Sequence, residues 1–69
     1  MRISARNMLK GKIVEVVRGA TTAHVRIDIG GGNIITASIT NEAVDELKLT
    51  KGETAYAVIK ASDVMVARD

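Results

Sequence analysis

Cysteine is absent from this chain of 69 residues, which rules out disulfides and thiolate metal sites. A single histidine, His24, cannot build a histidine-rich metal site. Tyr56 is the only aromatic residue, so the stacking platforms that sequence-tolerant single-strand binders use are missing. No run of about 18 apolar residues occurs, and nothing reads as a membrane-spanning helix. The basic start at residues 1–7 leads into no apolar stretch of the kind a signal peptide has. An intracellular location is therefore expected. Charge of neither sign dominates: ten Lys and Arg stand against eight Asp and Glu, a formal net of +2. That balance is too mild to argue for nucleic acid, and the basic bias is local, at Arg2, Arg6, Lys10 and Lys12.

A chain this short buries only about 60% of its unfolded surface, so one core is marginally stabilising. Small domains compensate with disulfides, metals or association, and here association is what remains. Hydrophobic residues make up 46% of the chain, mainly Ala, Val and Ile in many short segments. Some of them are expected to be buried between subunits. Residues 1–69 read as one domain, with no low-complexity linker and no internal repeat.

Residues 11–18 are rich in β-branched side chains and start at a glycine, which predicts a strand. From Thr22 to Ile29 the alternation is clean, with Ala23, Val25, Ile27 and Ile29 on one face and Thr22, His24, Arg26 and Asp28 on the other, as a half-buried antiparallel strand requires. Gly30-Gly31-Gly32-Asn33 is a tight turn in which positive φ costs little, and residues 34–39 continue as the hairpin partner. The three glycines lack the lysine and hydroxyl of a phosphate-binding loop. The period then changes. Thr40 or Asn41 caps a short helix with Ala43, Val44 and Leu47 on one face, and Glu42, Asp45 and Glu46 form its solvated side. Lys51-Gly52 returns the chain to a strand over residues 54–60. Further short strands are predicted at residues 2–4 and 64–67. Short strands with one small helix predict a mainly β fold, a small OB-like barrel.

Two clusters at opposite ends of the sequence carry the chemistry, Ser4-Ala5-Arg6-Asn7 and Lys60-Ala61-Ser62. Each combines hydroxyl, long cation and small residues that leave main-chain N–H groups approachable, which suits a compact anion. If the two segments lie near each other, in one subunit or across two, the site is rich in donors and poor in acceptors. It would then favour a fully deprotonated tetrahedral dianion over monohydrogen phosphate, whose proton needs an acceptor. The same residues also read as ordinary solvated charges flanking strands. Thr21 and Thr22 offer a second anion position around an axis in a symmetric oligomer, or simply suit a strand. No cleft, base or paired carboxylate marks a catalytic site.

The order of these residues resembles the molbindins, the small molybdenum-pterin-binding (Mop-type) proteins, whose opening runs Ser-Ala-Arg-Asn, one residue, Leu, one residue, Gly. Here it reads Ser4-Ala5-Arg6-Asn7-Met8-Leu9-Lys10-Gly11. The resemblance continues through Thr22-Ala23, Gly32-Asn33-Ile34, Ile39-Thr40, Val44-Asp45-Glu46-Leu47 and residues 57–65, nearly the whole chain. It implies a cytoplasmic protein that binds molybdate or tungstate without transforming it. The implied architecture is an OB-type barrel that exchanges strands in a dimer and assembles as a hexamer, a trimer of dimers, with the anions held at subunit interfaces. The implied site residues are Ser4, Ala5, Arg6, Lys60, Ala61 and Ser62, with Thr40 contributed by a neighbouring subunit and no protein ligand on the metal. Ala61 and Ala43 stand where relatives often carry Ser, so a hydroxyl donor is lost at each. The alternative function is a molybdate-sensing module acting through a separate partner; a nucleic-acid-binding barrel is a third reading, supported only by fold type and basicity.

Overall fold

Alternation builds the central strand. The computed structural model describes residues 1–69, and in it β2 (Thr22–Gly30) buries Ala23, Val25 and Ile27 while Thr22, His24 and Arg26 face solvent. A turn at Gly31-Gly32 joins it to β3 (Asn33–Thr40), with Gly30 and Asn33 in register. Gly31 and Gly32 have φ of +62° and +78°, the sign a two-residue hairpin turn of this hand requires at both central positions. Asp28 and Asn33 brace the turn, accepting from Gly30 N at 2.8 Å and donating to Gly30 O at 3.2 Å.

β1 (Asn7–Arg18) is the long strand that organises the sheet. Its first half pairs with β4 (Thr54–Ile59) and its second half with β2, so Lys12 is a register partner of both Thr54 and Asp28. A bulge between Ile13 and Glu15 bends the strand at the changeover, as an extra residue does in an antiparallel pair. The sheet order is β3-β2-β1-β4, all antiparallel. Gly11 is where β2 passes close to β1: a Cβ there would strike the Asp28 carbonyl oxygen and lie 2.7 Å from Ile27 Cγ2.

The short helix α1 (Asn41–Glu46) follows β3 directly, with Thr40 as its N-cap. It contributes Val44 to a core that otherwise consists of Ile13, Ala23, Val25, Ile27 and Ala57. The chain then turns through Lys48, at φ +52°, and Gly52, at φ +94°, and Ile13 exchanges main-chain hydrogen bonds with Glu53 and Gly52 at 2.9 and 2.8 Å.

The mainly β architecture with one short helix is as expected, and several details differ. β1 begins at Asn7 rather than Gly11, because residues 7–12 pair with β4 along their whole length. Leu47 does not share the buried helix face; it is 67% exposed. Residues 2–4 and 64–67 form no strand: no segment of the same chain pairs with them, and Val64, Met65 and Val66 stay exposed. Tyr56 is also exposed within the single chain.

Candidate anion-binding site

The β1–β4 ladder positions the two terminal clusters. Its last register pair is Asn7 with Ile59, and the Asn7 side-chain amide donates to the Ile59 carbonyl at 3.2 Å. Ser4-Ala5-Arg6 therefore enters, and Lys60-Ala61-Ser62 leaves, at one end of the sheet. Beyond Ile59 the chain closes a single 3₁₀ turn over Ala61–Asp63, held by Asp63 N to Lys60 O at 2.9 Å and Val64 N to Ala61 O at 3.3 Å. That turn uses carbonyl groups and leaves donors over. The main-chain N–H groups of Ala5 and Ala61 find no acceptor in the chain.

Arg6 and Lys60 are exposed, and neither has a carboxylate partner; the ion pairs of the chain are Arg18–Asp45 and Arg26–Glu15. Two uncommitted cations, the Ser4 and Ser62 hydroxyls and two free amides thus share one edge. No group of three potential metal-ligating side chains occurs, so the chemistry available there is hydrogen bonding and charge.

Thr40 is not part of that group. It is in register with Thr22, at the end of the sheet where β1 finishes at Arg18. The 12 residues of β1 separate the two ends, and a strand of that length reaches about 40 Å when straight; the molecule itself is 35 Å in its longest dimension. The Thr40 hydroxyl oxygen accepts from Ala43 N at 3.1 Å. Thr21 and Thr22 lie at this same end, both exposed. Thr22 borders a small polar pocket of about 200 Å³ together with Arg18 and His24.

Three residues close to these groups have no place in the expected set. Asn7 is the tie between the strands, and its signal lies in its position directly after Arg6. Arg18 and Asn41 fasten the Thr40 end; Asn41 reads in the sequence only as an alternative helix cap, and Arg18 and its partner Asp45 are 27 residues apart in sequence. Elsewhere the surface opens into an apolar groove of about 380 Å³ whose walls include Ile39, Leu47, Leu49, Tyr56 and Val58.

The TOBE domain family model matches residues 3–66. The chain is 54% identical over 66 residues to a probable molybdenum-pterin-binding protein of Haemophilus influenzae, covering 96% of each. It superposes on the apo structure of MopII from Clostridium pasteurianum with a TM-score of 0.90 at 46% identity, covering 97% of this chain and 100% of that one. With the cytoplasmic molybdate-binding protein ModG, solved with molybdate bound, the TM-score is 0.90 at 48% identity. That match covers 94% of this chain and 46% of ModG.

Proposed function

The chain belongs to the TOBE-domain family, and from that membership we propose that it binds molybdate, or tungstate as a dianion of the same shape, to hold molybdenum in the cytoplasm. It acts by binding and not by turnover. The observation that carries this reading is the Asn7–Ile59 register, which brings Arg6 and Lys60 to one edge with neither held in an ion pair. The relatives that match over their full length are binding proteins by name, in keeping with a reservoir or buffer.

The proposed site comprises Ser4, Ala5, Arg6, Lys60, Ala61 and Ser62. Guanidinium and ammonium supply charge-assisted hydrogen bonds, the strong class for an oxyanion. Ala5 and Ala61 offer only main-chain N–H groups. The set is rich in donors, with only the Ser4 and Ser62 hydroxyl oxygens able to accept, which favours a fully deprotonated tetrahedral dianion over monohydrogen phosphate, whose proton needs an acceptor. No bond to the molybdenum is involved.

Thr40 joins this set from a second copy. Association is supported by the apolar groove and by exposed Val64, Met65 and Val66, which have no partner in one chain. Strand exchange of the terminal segments in a dimer, and a hexamer built from three dimers, is the assembly proposed, each copy being one domain. Thr21 and Thr22, beside Thr40, take a second anion where an axis of that assembly brings their hydroxyls together.

Equilibrium dialysis against molybdate tests the reading. Saturable uptake is expected, with Arg6→Ala and Lys60→Ala each weakening it about tenfold or more, the scale of a lost hydrogen bond to a charged group. Unchanged uptake in both folded variants would remove the proposed site.

A further inference from the structure

The β1–β2 connection is fastened to α1 by three contacts, two at the helix start through Asn41 and one near its end through Asp45. Arg18 Nη2 meets Asp45 Oδ1 at 2.6 Å. The Asn41 side-chain amide donates to Gly19 O at 3.1 Å, and the Asn41 main-chain N–H donates to Thr21 O at 2.9 Å. Thr40 sits between the fastened helix and the Thr22 register position, and its oxygen already accepts from Ala43 N. One lone pair is committed there, and the hydroxyl hydrogen remains free to be directed outward as a donor.

Stability alone is a weak reason for this arrangement. The Arg18–Asp45 pair is about half exposed on the arginine side and more so on the aspartate, and such surface pairs contribute little. Asn41 leaves its Oδ1 enclosed with no hydrogen-bond partner, an unfavourable state for a buried polar atom. Asn41 instead fixes its own position and that of Thr40 against the β1–β2 turn, and Arg18 holds the same short helix through Asp45 near its other end.

The geometry points to Arg18 and Asn41 as positioning residues for the Thr40 hydroxyl, holding it as a donor for the anion bound by a neighbouring copy without touching that anion themselves. This rests on the molybdate reading and extends it to residues outside the donor set. It makes the Thr40 half of the site depend on a contact made 27 residues apart in the sequence.

The test is molybdate titration by calorimetry, paired with thermal unfolding of the anion-free protein. Asn41→Asp keeps the shape but sets an acceptor against the Gly19 carbonyl, and a loss of about fivefold in affinity is expected, the scale of one hydrogen bond. Arg18→Ala is expected to cost about twofold to fivefold, the range of an exposed ion pair. Exchanging the charges, Arg18→Asp with Asp45→Arg, restores affinity to within about twofold, which a directly ligating arginine could not achieve. Tighter binding in Asp45→Ala would show Arg18 to be an anion ligand and overturn the inference. So would affinity that stays at the wild-type value while the anion-free unfolding temperature falls. Should Asn41→Asp not fold, Asn41→Ser is measured in its place. Wild-type binding that is lost in Arg6→Ala keeps the molybdate reading whatever the Arg18 variants do; a wild-type protein that takes up no molybdate ends both.

Discussion

Asn7 and Ile59 are the final register partners of the β1–β4 ladder, and the Asn7 amide closes the pair by donating to the Ile59 carbonyl at 3.2 Å. Arg6 and Lys60 thus leave adjacent strands at a common point. Asn7→Ala is expected to lower stability by about 1 kcal/mol, the usual net value of one hydrogen bond, seen as a lower urea midpoint with unchanged slope. Molybdate affinity should fall with it, since the end of the ladder from which the two cations emerge is loosened. Full affinity in Asn7→Ala would show that the tie is dispensable to the site.

Gly11 and Gly32 separate two reasons for glycine. At Gly11 a side chain collides with the Asp28 carbonyl and Ile27, and the strands must part to admit it. Gly32 has open space but a φ of +78°, so alanine there meets only local backbone strain. Gly11→Ala should cost about 2 kcal/mol or more through overpacking, and Gly32→Ala about 1 kcal/mol through conformation. Thermal unfolding of the two variants decides the order, and a reversed order contradicts the reading of Gly11.

Thr40 serves as helix cap and, in the proposed site, as donor. Thr40→Ala should destabilise the protein by about 1 kcal/mol and weaken molybdate binding together. Thr40→Ser keeps the hydroxyl and should preserve both properties. A serine variant with normal stability but lost binding would mean that the methyl group, and not the hydroxyl, matters at the interface.

Charge placed in the apolar groove tests association. Val58 and Tyr56 are 40% and 47% exposed in the single chain although both line the groove. Val58→Lys and Tyr56→Lys should shift the native mass toward smaller species, because a buried unpaired ammonium is strongly unfavourable. An unaltered mass distribution in both would place the interface elsewhere.

Much of this fold is written plainly in the sequence. The strict alternation of residues 22–29 names the face that β2 buries, the glycine run names the hairpin turn, and Thr40-Asn41 narrows the helix cap to two residues, of which the structure uses Thr40. Other parts are written in contacts that single residues do not display. Gly11 looks like a strand boundary but lies inside β1, since its small size answers to β2 crossing close by and not to a turn. Leu47 has the right spacing for the buried helix face, yet the groove beneath it is left unfilled by the same chain. The terminal segments have strand composition and find no partner within one copy. For the candidate site, residue types marked Arg6 and Lys60 as donors, whereas Arg18 and Asn41 show their part only when the β1–β2 turn and the helix are seen side by side.

The distance between Thr40 and Lys60 has one last implication. Each molecule would present a nearly finished socket at one tip and the missing stopper for someone else's socket at the other. In the proposed assembly, loading would then rise more steeply than in proportion to the amount of protein made, so a cell holding few copies would keep its oxyanion free while a cell holding many would sequester it.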